Sequence, residues 1–355
     1  MLASTLGNRS SVRRIYAFSI SVTIVALLGV LWGAGPAALL TVLILSALEI
    51  TFSFDNAVIN AKILARMSPV WQQLFMTVGI FIAVFGMRFV LPIALVAGTA
   101  GLDFGSVINL ALQHPNDYAN KLAIAHPIIS AFGGIFLLMI FLEFMLDHDR
   151  KVHWLKRIER PLTKIGRLNQ VSVIMGLSVL IWATEFLAGD HKFEVLLAGS
   201  AGLLTYLSVR TLAMAFEQTQ KKSLANTAAT HHLLRAGLSN FLYLEVLDAS
   251  FSFDGVIGAF AITNMVLLIA IGLGIGAVWV RSMTIHIVRR NTLSKYIYLD
   301  HGANYAIGVL AVMLLAGIAY EIPDSVTGLA GVSIISFAFI SSWLHNNQQA
   351  LGTKS

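Results

Sequence analysis

The stretch from Ala37 to Asn60 reads AALLTVLILSALEITFSFDNAVIN, and only Glu49 and Asp55 within it carry a charge. An α-helix needs about 20 predominantly apolar residues to cross the hydrocarbon core of a bilayer. The stretch is long enough to do so, but it places two carboxylates inside the membrane. It therefore predicts a transmembrane helix whose acidic side chains need a polar environment within the protein.

The whole chain has the composition of an integral membrane protein. Of its 355 residues, 57% are hydrophobic and 12% are charged, whereas roughly 25% are charged in an average soluble domain. A soluble fold could not hide this much apolar surface, so we predict an all-α, polytopic membrane helix bundle. The absence of cysteine excludes disulfides, thiolate metal sites and thiol nucleophiles.

About ten apolar stretches are predicted to cross the membrane. Three arginines precede the first, as in a signal peptide, but that stretch is long for a signal sequence and no Ala-x-Ala site follows. We expect a retained helix, with nine spans if it is cleaved. The predicted layout is a tail at 1–14, a single transmembrane domain at 15–344 and a tail at 345–355. The spans are 15–33, 37–61, 70–97, 125–146, 170–189, 193–215, 236–262, 264–287, 303–320 and 325–344.

The distribution of basic residues predicts the orientation of these spans. With the N-terminus inside, the two tails and the inner connections together hold 20 of the 24 Lys and Arg residues, and the outer connections hold only Lys121 and Lys192. This is the bias of the positive-inside rule, and it predicts that both termini are cytoplasmic. It also explains the net charge of +6 without a nucleic-acid partner. The outer connection at about 98–124 is long enough for a short helix or a lid.

Two acidic segments of the chain resemble each other. Glu49 precedes Asp55, and Asp248 precedes Asp254, with five residues between the acids and Phe-Ser-Phe directly before the second acid each time. The segments lie on the second and seventh spans, so the two repeats would run in opposite directions. Inverted repeats whose polar helices meet near the midplane are a recurrent plan of secondary transporters. The pattern therefore favours an inverted-topology internal repeat.

Each repeat continues into a helix with an arginine inside its span. The units cover about 37–97, with Arg88, and 236–288, with Arg281. These arginines either orient the acids as counter-ions or form structural pairs, and the sequence leaves both readings open. A deep acid that faced lipid would cost on the order of 3 kcal/mol. The acids must therefore face the protein interior, a water-filled cavity or a bound cation.

The spacing within the first segment leaves its geometry open. Glu49 and Asp55 are six residues apart, which separates them by about 120° around a regular helix. Glu49, Ser53, Asn56 and Asn60 would instead share a face. Either the polar face is broad, or the Phe-Ser-Phe tract is unwound so that both acids converge. We favour unwinding, because freed carbonyl groups are useful ligands inside a membrane.

The donors of the two segments are hard oxygen ligands. Such donors suit Mg²⁺, Ca²⁺ or Mn²⁺, whereas zinc or copper would usually bring His, Cys or Met. The acids carry more negative charge than a monovalent ion needs, and like charges at low dielectric would keep some of them protonated when the site is empty. Proton release is therefore a natural coupling route. The predicted ligands are Glu49, Asp55, Asp248, Asp254 and Glu245, supported by Ser53, Ser252, Asn60, Arg88, Arg281, Glu185 and Asn304.

The residues from Leu48 to Val58 resemble the acidic segment in an early helix of the TerC/Alx family of bacterial integral membrane proteins. The resemblance extends over roughly residues 37–344 and includes the later acidic segment. It implies a metal-ion transporter of the bacterial inner membrane, with manganese export as the leading activity and tellurite resistance as the historical label. It carries the metal-ligand role to Glu49, Asp55, Asn56, Asp248 and Asp254.

The chain departs from the pattern of the resemblance at one position. Gly255 stands where an Asn would mirror Asn56, so the second repeat has one side-chain ligand fewer and the site would be asymmetric.

We therefore expect a divalent metal-ion transporter, not an enzyme, with Mn²⁺ export favoured and Ca²⁺ or Mg²⁺ as open alternatives. Coupling to protons or Na⁺ and a homo-oligomer remain open, and the expected partners are the lipid bilayer and the transported ion, with no tightly bound cofactor. The alternatives are a Ca²⁺/cation exchanger and a non-transporting membrane component of a metal or tellurite stress-response complex. Paired aspartates also occur in intramembrane proteases, but the expected Gly-x-Gly-Asp context is absent.

Overall fold

The computed structural model describes most of the chain. It covers residues 10–352, except 66, 149, 151, 167–169, 186–190, 224–228, 261, 264, 291 and 321. Within the helices it does not describe the side chains of 10–14, 76, 213, 215–223, 229–236, 251–254, 257, 293–294, 324–325 and 349–352.

The described residues form helices and connections, without a β-strand, so the predicted all-α class is confirmed. The helices are α1 (Ser10–Phe52), α2 (Phe54–Leu64), α3 (Pro69–Ala100), α4 (Phe104–Gln113), α5 (Pro115–Leu146), α6 (Lys156–Ile165), α7 (Val171–Glu185), α8 (Lys192–Ser223), α9 (Ala229–Phe260), α10 (Val266–Arg289), α11 (Thr292–Lys295), α12 (Leu299–Ala316) and α13 (Asp324–Gly352).

Seven stretches of these helices are long and apolar enough to cross a bilayer, which confirms a polytopic membrane protein. Many of their large apolar side chains are exposed; Trp32, for example, is 94% exposed. Such surfaces are stable against hydrocarbon and costly in water. The seven stretches are Ile15–Phe52, Pro69–Ala100, Pro115–Leu146, Lys192–Leu212, Val266–Arg289, Leu299–Ala316 and Val326–Gln348.

The predicted spans differ from the helices in several places. The first two predicted spans lie on either side of a break in α1 at Gly35 (φ 84°), before Pro36, and the second span continues past Ser53 into α2. Of the predicted span 170–189, Val171–Glu185 is helical, and residues 186–189 lie outside the described residues. The predicted span 236–262 begins inside α9, and this helix ends at Phe260.

The connection predicted as a short helix or lid does contain a helix. Gly101 ends α3 in the left-handed conformation (φ 64°), which glycine adopts without steric cost. Asp103 then caps α4, accepting hydrogen bonds from the Ser106 hydroxyl (2.6 Å) and the Ser106 amide (2.9 Å). These bonds stabilise the carboxylate and lower the pKa of Asp103.

The chain divides into two compact units. The first comprises Met1–Ala65, Gln72–Ala125 and Phe251–Thr292. Within it α1 packs along α10, where buried Val42 of α1 lies in one apolar cluster with Leu268 and Ile275 of α10. α2 and α3 also pack against α10, so α10 is the element on which the acidic segment of this unit is assembled.

The second unit comprises Arg66–Trp71, His126–Ser250 and Leu293–Ser355. Here α12 packs against α13 and α7 against α8. A Cβ at Gly202 of α8 would overlap the Phe132 carbonyl of α5, so glycine permits close approach of these two helices, as small residues do in membrane bundles.

Candidate functional site

The first acidic segment is divided by a one-residue interruption. Ser53 leaves helical geometry (φ −95°, ψ 15°) between α1 and α2. The flanking hydrogen bonds persist, because the Ser53 amide donates to the Glu49 carbonyl (2.9 Å) and the Ala57 amide to the Ser53 carbonyl (3.3 Å). The interruption lies in the tract where unwinding is expected, but it involves one residue and leaves the flanking backbone hydrogen bonds in place. The second tract lies inside the continuous helix α9.

Glu49 forms a buried ion pair at the end of α1. Its Oε1 atom lies 2.5 Å from Arg88 Nη2, and both side chains are almost fully buried. Ser53 Oγ donates to the same oxygen at 3.0 Å, and Arg88 Nη1 donates to the Ala83 carbonyl at 2.8 Å. The structure thus makes Arg88 the counter-ion of Glu49. Each charge is compensated within the protein, as buried charges require.

Two glycines give the Glu49 side chain its space. A Cβ at Gly276 of α10 would overlap the methylene stem of Glu49, and a Cβ at Gly255 of α9 would lie 3.2 Å from its Oε2 atom. That distance is shorter than ordinary van der Waals contact. A side chain at position 255 would therefore crowd the Glu49 carboxylate, which is a steric reason for the departure of Gly255 from the Asn of the first repeat.

Helix α2 is buried around its whole circumference from Asp55 to Ala61. Three polar side chains, those of Asp55, Asn56 and Asn60, lie in this buried stretch. Asp55 Oδ1 accepts a hydrogen bond from the Asn56 amide at 2.9 Å, in the first helical turn where a carboxylate is favourable. The segment is therefore a polar helix in a position that normally holds apolar side chains.

Asn60 is the least satisfied polar residue of this helix. Its side chain is 0% exposed, and within the described residues neither its amide nitrogen nor its amide oxygen has a hydrogen-bond partner. An unpaired buried polar group costs about 1–3 kcal/mol. Asn60 and Asn56 are one turn apart and lie on one face of α2.

Arg281, the counterpart of Arg88 in the second repeat, also contacts α3. It is buried, its Nη1 donates to the Phe75 carbonyl at 2.9 Å, and its guanidinium lies 4.0 Å over the Phe75 ring. Both arginines involve α3, which contains two π-helical stretches, Phe75–Gly79 and Ile82–Val90. π-Helical stretches are rare in proteins, and those that do occur are often found at functional sites. The described contacts of both arginines therefore include a backbone carbonyl of α3.

The predicted residues of the second repeat lie on α9. Glu245 and Asp248 are buried, whereas the side chains of Ser252 and Asp254 lie outside the described residues. The ligand roles of all four remain predictions from the sequence.

Two predicted supporting residues lie in other environments. Asn304 donates its amide to the Asp300 carbonyl of its own helix at 2.7 Å. The Glu185 side chain is 72% exposed and lies 3.7 Å from Lys192.

Carboxylates alone do not build a metal site among the described side chains. No group of three His, Asp or Glu residues there is arranged to hold one metal ion. A cation bound at α2 would therefore need oxygen ligands from asparagine amides or the backbone, in addition to carboxylates. Asn56 and Asn60 supply the amides.

Sequence reasoning missed one buried carboxylate, that of Glu159. It lies in the basic connection between α5 and α7, and its side chain is completely buried. The available signal was that Glu159 is the only acidic residue between positions 150 and 170. A single acid among many bases in a short helix is a candidate for an internal ion pair.

Residues 54–349 match the family described as "Protein of unknown function (DUF475)". No curated protein and no solved structure matches the chain. The matched region begins at the first residue of α2 and extends into α13. It covers Asp55, Asn56 and Asn60, together with the acidic segment of α9. Because the match spans well over half of the sequence, the chain belongs to this family, DUF475, of proteins of unknown function.

Proposed function

We propose that the protein transports a divalent cation across the membrane and that α2 supplies part of the cation's ligand set. The observation that carries this proposal is Asn60, a completely buried amide without a hydrogen-bond partner among the described residues. A folded protein rarely leaves such a group unpaired unless a water, an ion or a function accounts for it.

The charges around α2 support a cation as the missing partner. Glu49 is neutralised by Arg88, whereas Asp55 is buried and has no ion pair with any described side chain. A cation or a proton would compensate Asp55 while Arg88 compensates Glu49, so we assign Asp55, Asn56 and Asn60 as ligands and Glu49 as the neighbour that holds the segment in place.

The chemistry of these donors favours a hard divalent ion. Carboxylate and amide oxygens suit Mn²⁺, Ca²⁺ and Mg²⁺. The resemblance to TerC/Alx proteins makes Mn²⁺ export the leading activity, with protons or Na⁺ as the coupling ion. The bias of basic residues supports both termini in the cytoplasm of a bacterial cell.

The test is metal profiling of a deletion strain that is complemented with the wild-type protein or with Asp55→Asn. We expect the wild-type protein to lower intracellular manganese and Asp55→Asn to leave it high, because the neutral amide removes the charge but keeps the shape. Glu194→Gln, which replaces an exposed acid, is the matched control. If membrane-inserted Asp55→Asn still lowers manganese as the wild-type protein does, the proposal is wrong.

A second candidate is a non-transporting membrane component of a metal or tellurite stress-response complex. The Glu49–Arg88 pair favours it, because this pair is satisfied without any ligand. Metal flux into proteoliposomes that contain only the purified protein distinguishes the two: a transporter produces flux that Asp55→Asn abolishes, and a scaffold produces none. A Ca²⁺/cation exchanger would show flux of calcium rather than manganese in the same assay.

A further inference from the structure

The short helix α6 is fixed at the ends of two apolar helices of its own unit. A Cβ at Gly166, just after α6, would overlap the carbonyl of Leu146, the last residue of α5. Before α6, the Val152 carbonyl lies 2.9 Å from Nε2 of His301, which belongs to the first turns of α12. Both α5 and α12 contain candidate spans. α6 therefore lies at the level where these spans end.

Glu159 holds α6 in this position. Its Oε1 atom accepts hydrogen bonds from the amides of Trp154 (3.2 Å) and Leu155 (3.0 Å) and from the Tyr305 hydroxyl (3.2 Å). Its Oε2 atom lies 3.3 Å from Arg150 and 3.2 Å from Nδ1 of His153. The carboxylate thus closes the start of α6 and joins it to α12.

Burial of Glu159 leaves a surface without negative charge. From Val152 to Ile165, every exposed residue is either basic or apolar. Ile158, at 51% exposed, is the most exposed large apolar residue of this stretch. The exposed basic residues are Lys156, Arg157, Arg160 and Lys164.

The two kinds of residue lie on opposite sides of α6. At 100° per residue, Leu155, Ile158, Leu162 and Ile165 fall within an arc of about 80°, and the four basic residues lie on the opposite side. This is the arrangement of a helix that lies in a membrane interface, with its apolar side at the acyl boundary and its basic side among headgroups.

We propose that α6 is an interfacial helix that binds the anionic phospholipid headgroups of the membrane in which the protein resides. The fixed level of α6 at the ends of α5 and α12 places it beside headgroups, and its charge complements theirs. The exposed isoleucines at the level of the span ends favour lipid, which has an apolar layer directly beside its phosphates, over RNA, which has none. This inference is independent of the transported ion.

The absence of cysteine permits a direct test on the full-length protein. A nitroxide is attached to Ile158→Cys, or to Thr163→Cys as a control about 140° away around the helix. The protein is placed in nanodiscs of phosphatidylcholine alone or with phosphatidylglycerol, and the accessibility of each nitroxide to oxygen and to a water-soluble nickel chelate is compared. We expect the label at 158 to become more accessible to oxygen and protected from nickel when phosphatidylglycerol is present, and the label at 163 to remain accessible to nickel.

A charge variant tests the role of the headgroups. Lys156, Arg157, Arg160 and Lys164 are replaced by Gln together in the Ile158→Cys protein, while Glu159 and its partners remain. Each basic residue near an anionic surface changes the ratio of immersed to aqueous label by about fivefold, so the response to phosphatidylglycerol should be lost while the thermal midpoint is unchanged. A label at 158 that is accessible to nickel in both lipids would overturn the proposal, as would protection that is equal in both lipids. Protection only on addition of a polyanion such as RNA would overturn it in favour of another partner.

Discussion

Glu49 and Glu159 are both buried carboxylates paired with an arginine, yet they are held in different ways. Glu49 relies on one guanidinium and one hydroxyl, and its second oxygen faces the space left by Gly255. Glu159 has two backbone amides, a tyrosine hydroxyl, an arginine and two histidines around it. The Glu159 cluster is saturated and suits a permanent anchor. Glu49 has a single charged partner and lies beside a helix interruption, which suits a site that must rearrange.

Of the substitutions that test this difference, removal of Arg88 should have the largest effect on stability. Arg88→Met leaves Glu49 buried without its counter-ion, which we expect to lower the free energy of unfolding by about 3–5 kcal/mol. The thermal midpoint of the purified protein in detergent measures it. The double variant Arg88→Met/Glu49→Gln should recover most of the loss, because no charge then remains unpaired. A single variant as stable as the wild-type protein would show that the pair is not formed.

Loss of Glu159 should have a smaller and local effect. Glu159→Gln keeps an acceptor for the amides of Trp154 and Leu155 but loses the charge that pairs with Arg150. We therefore expect the free energy of unfolding to fall by about 1–3 kcal/mol. Limited trypsin digestion should reveal it as faster cleavage after the exposed residues Lys156 and Arg157. Because several uncharged donors share Glu159, the loss should be smaller than that caused by Arg88→Met. An equal or larger loss would reverse the comparison.

The sequence was informative where a pattern forces burial. The apolar runs predict the helical membrane fold, and Arg88 could be proposed as a counter-ion because a charge within a span needs a partner. The burial of Glu159 was not predicted, because topology alone explains a basic connection. Its partner Tyr305 is also 146 residues away in the chain, so no local pattern indicates the contact. From the sequence alone, Gly255 is a position where a ligand is missing. Only the three-dimensional structure shows that the Glu49 Oε2 atom lies opposite this glycine.

Asn60 provides a prediction in which stability and activity move in opposite directions. Asn60→Leu replaces an amide that has no partner among the described residues with an apolar side chain of similar volume, so we expect stability to rise by about 1 kcal/mol. Manganese efflux should be lost, because a ligand of the proposed cation site is removed. Thermal midpoint and metal profiling are measured on the same variant. Unchanged efflux would mean that Asn60 serves only the fold.

The smallest expected effect concerns the space opposite Glu49. Gly255→Ala places a methyl group 3.2 Å from Glu49 Oε2, whereas Gly98→Ala introduces one with no heavy atom within 4 Å. Each substitution gains at most about 1 kcal/mol from the higher helix propensity of alanine. The difference in stability between the two variants therefore reports the crowding of the Glu49 carboxylate. We expect Gly98→Ala to be stabilising and Gly255→Ala to be about 1 kcal/mol less favourable, as read from thermal midpoints. In the Glu49→Gln/Arg88→Met background the ion pair is absent and the side chain is free to turn away, so the difference between the two alanines should shrink. If it persists there unchanged, Gly255 serves close helix packing and not the Glu49 carboxylate.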